Sequence, residues 1–434
     1  MIITELSPTD RQYPVVVIGT GFGSLFFVHR LLQLRPDIKI LMLEQGPLRS
    51  WEQQVEEGRN SGISSDDTFV RTGKRKRWHF TIGYGGGTNC WSGNTPRMHP
   101  NDFRLKTRYG RGQDWPISYD ELEPYYAIAE EIMEISGPDD LHVIGFRSRP
   151  YPQPPHRLTS ACRLMKQAQP DMHFAMPSAR ARVATKQRPR CCASFHCSLC
   201  PVGAKFTAFN GFSHVTEHPN VRILPEAEVL ELERSTSNVS GVRFRQAGRE
   251  QRVGCDLCIL GANTIHSPAI LLRSGFDHPL LGRGLNEQLG YGAEVLLDGL
   301  DSLDGSSLTS GINYSLYDGA FRSEHGAAMI KLNNNFPQGL RPEFGRWRQM
   351  VYLSVATEQE LLDENRVTID RGGNVVVHFE RQSPYAEQAV KWSREQLPKI
   401  LAPLPVEQIR FKQVRITEGH VQGTMRMGSS SADS

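Results

Sequence analysis

No stretch of this chain approaches the 20 or so consecutive apolar residues that a membrane-spanning helix needs. The first thirteen residues contain neither an apolar core region nor twin arginines, so no secretory signal is visible. A cytoplasmic location is the expectation, with export alongside a partner subunit left open. Excess charge is missing too: 50 Lys and Arg stand against 47 Asp and Glu, a formal +3 over 434 residues. That balance, with no basic helix or aromatic-interleaved patch, argues against a nucleic-acid partner. The one compact basic run, Lys74 to Arg77, reads as a solvated loop rather than a dock for an acidic partner. Repeats and low-complexity tracts are absent. The length exceeds one simple core, so two intertwined domains are expected.

Against these absences stands one dense motif. Val15-Val-Val-Ile-Gly-Thr-Gly-Phe-Gly-Ser24 reads as a buried parallel strand followed by a glycine-opened helix, and Ile38 to Leu43 as the next strand, ending in Glu44. Gly19 permits the sharp turn, and Gly21 lets backbone N–H groups approach a pyrophosphate at the positive end of the helix. Ser24 stands where a third small residue packs helix against strand. Glu44 is placed to accept both ribose hydroxyls of an adenosine, which disfavours a 2′-phosphate and leaves NAD or FAD. A second glycine-rich loop, Tyr84-Gly-Gly-Gly-Thr-Asn-Cys-Trp-Ser-Gly93, decides for FAD, because a buried flavin needs a wall as well as a phosphate cradle.

Further along, Ser118 and Glu121 form a capping box before a helix through Glu131. Strands are expected at 220–224, 227–232, 242–244 and 257–260. Ser267-Pro-Ala-Ile-Leu-Leu-Arg-Ser-Gly275 reads as a short helix capped by Ser267, with Pro268 in its first turn. From Gly290 to Arg410 the pattern turns to alternating strands, among them 365–370 and 374–379 around Arg371-Gly-Gly. The expected fold class is α/β (α+β overall). A Rossmann-like FAD-binding domain (1–100, 200–290, 411–434) is intertwined with a mainly antiparallel-sheet substrate or cap domain (101–199, 291–410).

These segments together resemble the glucose–methanol–choline (GMC) oxidoreductases, nearest the pyranose oxidase and sugar dehydrogenase branches. The resemblance is carried by Val17 to Ser24, Leu43-Glu-Gln-Gly46, Gly85 to Gly93, Asp114-Trp-Pro with Leu122 to Tyr126, Ile259 to Pro268, Gly282 to Asn286, and His420-Val-Gln-Gly-Thr-Met-Arg-Met-Gly428. It implies a flavin site lined by Gly19, Gly21, Glu44, Gly86, Gly87, Thr88 and Asn89, with Val229 bonding the adenine through its backbone. Those branches often link FAD covalently at the position of Cys90; non-covalent FAD is expected here. The resemblance implies oxidation of a CH–OH group, in a sugar, polyol or other alcohol, by hydride transfer to flavin N5. Position within His-x-x-Gly-Thr singles out His420, among 14 histidines, as the base that takes the hydroxyl proton. An FAD-containing lyase and an inactive flavin-binding fragment are the alternatives. Family members continue past the Met-Gly step to a second catalytic His or Asn; this chain ends at Ser434 and is expected to be a fragment.

Cysteine supplies one more signal. Cys191, Cys192, Cys197 and Cys200 lie within ten residues and end in Cys-x-x-Cys-Pro, a pattern resembling iron–sulfur ligation. Some sugar dehydrogenases of the family carry such a cluster, with a last spacing one residue longer. Cys191, Cys197 and Cys200 are the candidate ligands; zinc with His196, and plain thiols or a local disulfide, stand beside that reading. A cluster would send electrons to an acceptor other than oxygen, favouring a dehydrogenase. Cys255 and Cys258, three apart on a strand, are expected on opposite faces as packing residues.

Overall fold

The computed structural model describes residues 1–434 apart from 8, 74–75, 237, 336–339, 343–344 and 418. Its first sheet grows from the dinucleotide motif. Strand β1 (Gln12–Ile18) buries Val15 to Ile18, and β2 (Ile40–Leu43) is buried throughout. Parallel strands need a crossover, and the helix Phe22–Leu34 supplies it, burying Ser24, Leu25, Val28 and Leu32. Beyond β2 lies β5 (Val221–Leu224), also parallel. On the other side β1 pairs in parallel with β8 (Arg249–Leu260), which continues antiparallel into β7 (Val239–Gln246) and β6 (Glu228–Arg234). The order is β5-β2-β1-β8-β7-β6.

The second sheet is antiparallel at every pairing. It runs β15 (Val406–Arg415), β9 (Leu289–Leu297), β12 (Met350–Thr357), β11 (Ala328–Asn333), β10 (Thr309–Asn313) and β4 (His173–Ala175). A helix the alternation did not predict, Pro384–Ile400, packs on it through Ala386, Val390, Leu397 and Ile400. Its signal was present: Ser383 caps it ahead of Pro384, and its apolar residues recur at helical spacing. A third sheet joins the expected hairpin of β13 (Arg366–Ile369) and β14 (Val375–Phe379) to β3 (Val70–Gly73), which runs parallel to β14.

The architecture is the expected α/β class, with a dinucleotide-type sheet beside an antiparallel one. The expected boundary at residue 411 falls inside β15, whose pairing with β9 keeps the whole strand in the second sheet. β3 likewise takes residues before 100 into a sheet with β13 and β14.

Three local readings are corrected. The helix expected from Ser267 starts earlier, at Asn263, whose Oδ1 accepts the N–H groups of Ile265 and His266. Pro268 is therefore inside it, and the carbonyl of Thr264 that loses its helical donor is taken by Thr424 Oγ1 at 2.6 Å. Cys255 and Cys258 are not on opposite faces. Val253, Gly254 and Cys255 are buried in succession, the alternation is lost, and the two thiols share one apolar cluster. Their mutual hydrogen bond lowers the Cys255 thiol and raises that of Cys258. Within the basic run, Lys74 and Arg75 lie outside the described residues, but Lys76 is buried and paired with Glu287 rather than solvated.

Candidate active site

Gly19 turns at φ +88, and a Cβ there would sit 2.5 Å from the carbonyl oxygen of Gly261. Behind it Ser24 packs just as tightly: a Cβ on Gly261 would lie 2.2 Å from Ser24 Oγ. In front the space is open, for a Cβ on Gly21, Gly23 or Gly87 would meet nothing within 4 Å. The helix Phe22–Leu34 has Gly21 as its N-cap and no side-chain cap, which leaves its first N–H groups facing that room. A pyrophosphate fits this cradle. Gly19→Ala is expected to destabilise the fold by about 1–3 kcal/mol, through backbone strain and the Gly261 contact, as a lowered thermal unfolding midpoint.

Glu44 is 6% exposed and already holds four protein donors. Oε2 accepts Thr20 N–H (3.1 Å) and Oγ1–H (2.7 Å), and Oε1 accepts Gly46 N–H (3.0 Å) and Gly83 N–H (3.1 Å). Gly85 N–H donates in turn to Thr20 Oγ1 at 3.1 Å. Thr20 and Glu44 thus tie the first turn to the glycine loop, a role for Thr20 that the motif alone did not reveal. A carboxylate offers about four lone-pair sites, so a ribose hydroxyl would have to displace one of these donors. Val229 sits next to a register shift in β6, two residues beyond Ala227, whose N–H donates to the Glu44 carbonyl.

Within the loop, Gly86 adopts φ +45 and a Cβ there would approach Gly21 Cα to 3.2 Å. Thr88 and Asn89 turn inward. Thr88 Oγ1 accepts the N–H of Ala208 and Asn89 Nδ2 donates to the Tyr84 carbonyl. It is Gly87 and Cys90 that face the cleft. Lys205, 1% exposed, anchors the loop from behind by donating to the carbonyls of Asn89 (2.8 Å), Trp91 (2.8 Å) and Ser198 (3.2 Å). Desolvation pulls its ammonium down to about 8.

That anchoring also fixes the cysteine segment. The Cys191 N–H is held by the Ala181 carbonyl and the Cys200 carbonyl by Trp51 Nε1–H. Cys197 is buried while Cys192 is exposed, and desolvation raises the Cys191 and Cys197 thiols. Among the described residues no three His, Cys, Asp or Glu side chains are grouped to hold a metal ion. The expected ligation by Cys191, Cys197 and Cys200, or by zinc with His196, is therefore not assembled in this structure.

His420 stands at the head of a block held at Val421, Gln422, Gly423 and Thr424. Asn286 and Gln422 exchange main-chain hydrogen bonds of 2.8 and 2.9 Å. Gly423, at φ +113, has no room for a side chain because a Cβ would lie 1.8 Å from the Gly284 carbonyl oxygen. Thr424 closes the gap left by Pro268. Glu287 Oε1 accepts the N–H groups of Gly419 and His420, while Oε2 is ion-paired to Lys76, both side chains being out of solvent. Gln288 Oε1 meets His420 Nδ1. Sequence reasoning named His420 but missed Glu287, Gln288 and Lys76, which lie more than 130 residues away in sequence.

Phe22, Gly87, Cys90, Gln288 and His420 line one cleft of about 2090 Å³. Gly19, Gly21, Glu44 and Val229 are not on its wall; the cleft reaches their neighbourhood through Phe22 and Gly87.

Fold and site define a dinucleotide-cradle α/β protein whose cleft runs from a glycine loop to a histidine beside a second, antiparallel sheet. The family model of the GMC oxidoreductases matches residues 112–290 of this chain, in keeping with the expected resemblance to that family. It is 29% identical over 369 residues to the fructose dehydrogenase large subunit of Gluconobacter japonicus, covering 74% of this chain and 66% of that one. It is 30% identical over 305 residues to 6'''-hydroxyparomomycin C oxidase of Streptomyces lividus, covering 65% and 55%. The match thus spans between about half and two thirds of these curated relatives. Pyridoxine 4-oxidase from Mesorbium loti shares the fold, with TM-score 0.65 and 18% identity over 96% of this chain and 89% of that chain. Formate oxidase of Aspergillus oryzae does so with TM-score 0.61 and 15% identity over 92% and 83%.

Proposed function

We propose that this chain is an FAD-dependent oxidoreductase that oxidises a CH–OH group of a sugar, polyol or other alcohol, with His420 as the base. The observation that carries the reading is the single cleft shared by the glycine loop and His420. FAD, when bound, supplies the hydride acceptor at N5. Gly19 makes the turn, Gly21 and Gly87 leave room for its pyrophosphate, Ser24 packs the helix behind that turn, and Gly86, Thr88 and Asn89 shape the loop that would border the ring. Glu44 and the Val229 backbone are assigned to the adenosine end. An imidazole suits the proton because its ordinary pKa lies near neutrality.

The relatives named above include a fructose dehydrogenase and an aminoglycoside oxidase. We favour a dehydrogenase. The fructose dehydrogenase relative, matched over 74% of this chain, carries that name and is called a large subunit, which also supports a partner subunit here. Anaerobic mixing of the purified flavoprotein with alcohols is the test. Bleaching of the flavin band is expected; an unbleached spectrum during substrate turnover means a lyase. No bleaching and no turnover means an inactive flavin binder. Slow oxygen consumption beside fast dye reduction would distinguish dehydrogenase from oxidase.

A further inference from the structure

Two successive side chains ahead of β9 hold His420 in different ways. Glu287 fixes its main chain, and Gln288 touches its ring. The main-chain exchange between Asn286 and Gln422 sets this strip alongside the histidine block. Neighbours on an extended strip face opposite ways. That is how Glu287 reaches buried Lys76 while Gln288 lines the cleft with His420. The atom of Gln288 that meets Nδ1 is its carbonyl oxygen, which accepts and has no hydrogen to give. The proton of that bond must then sit on Nδ1.

We infer that Gln288 is a positioning residue that selects the Nδ1–H tautomer of His420 and so makes Nε2 the basic nitrogen. The inference rests on the reading of His420 as the proton acceptor. A neutral imidazole has one lone pair to offer, and the tautomer decides which nitrogen carries it. Free imidazole side chains favour the opposite tautomer, with the hydrogen on Nε2, so a ring left without this partner would present its lone pair from the wrong side. In Ser-His-Asp hydrolases the wrong tautomer slows turnover by about 10⁴-fold.

The test is ring ¹⁵N–¹H correlation spectroscopy on the full chain labelled with ¹⁵N-histidine, at a pH where the ring is neutral. The His420 signals are identified by their loss in His420→Asn. An Nδ1–H pattern is expected in the wild type and in Gln288→Glu, whose carboxylate also accepts. Gln288→Leu is expected to shift the ring to the Nε2–H pattern and to slow flavin reduction by about 10–100-fold. An Nε2–H pattern in the wild type overturns the inference. So does a Gln288→Leu spectrum in which the His420 tautomer has not moved. The reading of His420 as base fails separately, if His420→Asn reduces its flavin at the wild-type rate whatever the tautomer.

Discussion

Replacing His420 by alanine is expected to slow anaerobic, substrate-driven bleaching of the flavin band by about 10²–10⁴-fold. Removing a hydroxyl proton as the carbon gives up its hydride needs an acceptor within the cleft; His420 and His79 both line the wall they share with Gly87, and the His-x-x-Gly-Thr position singles out His420. The backbone at this position is held by Glu287 and by the Asn286–Gln422 exchange, neither of which uses the imidazole. The alanine variant should therefore fold and keep its yellow colour. Stopped-flow reduction measured beside flavin content separates a lost base from a lost cofactor. Wild-type reduction rates in a fully loaded variant would remove His420 from the chemistry.

Glu287→Ala should have the largest effect on stability, about 3–5 kcal/mol. The carboxylate is 2% exposed and neutralises Lys76, whose ammonium lies 4.0 Å from the Trp78 ring centroid. Taking away Glu287 removes the carboxylate paired with a buried ammonium and strips the acceptor from the N–H groups of Gly419 and His420. Charge and acceptor can be told apart by a second substitution. Replacing a buried pair by apolar groups is often near neutral, so adding Lys76→Met to Glu287→Ala should recover much of the loss in denaturant unfolding. Activity should stay low in the double variant, because the two N–H groups remain without their carboxylate. A Glu287→Ala protein as stable as the wild type would show that Lys76 is solvated or otherwise compensated in solution.

Much of the first sheet was legible in the sequence because its determinants are local. Four branched residues and a glycine turn each act within a few positions of where they are written. The helix at Pro384–Ile400 was missed because neighbouring β-rich segments dominated the pattern, although its serine cap and helical apolar spacing were present. Pro268 misled for the opposite reason. A proline normally marks a helix start, but Thr424 satisfies the carbonyl it orphans, and that donor lies 160 residues on. The cysteine segment was read from spacing alone. Whether thiols converge depends on the backbone anchors at Ala181, Trp51 and Lys205, which no local pattern encodes.

Taken by itself, the chain's amino-acid order determined the dinucleotide cradle, the crossover helix and the identity of His420 as the residue to watch. The first two follow from φ limits, side-chain size and hydrogen-bonding capacity at adjacent positions, and the third from the resemblance of the His-x-x-Gly-Thr block to the family. Only the tertiary structure decided which groups surround that histidine, that Glu44 is saturated by three backbone N–H groups and the Thr20 hydroxyl, and that Lys76 is buried rather than solvated. Burial and pairing are properties of surfaces brought together from distant segments, and their energies exist only after the chain has closed on itself.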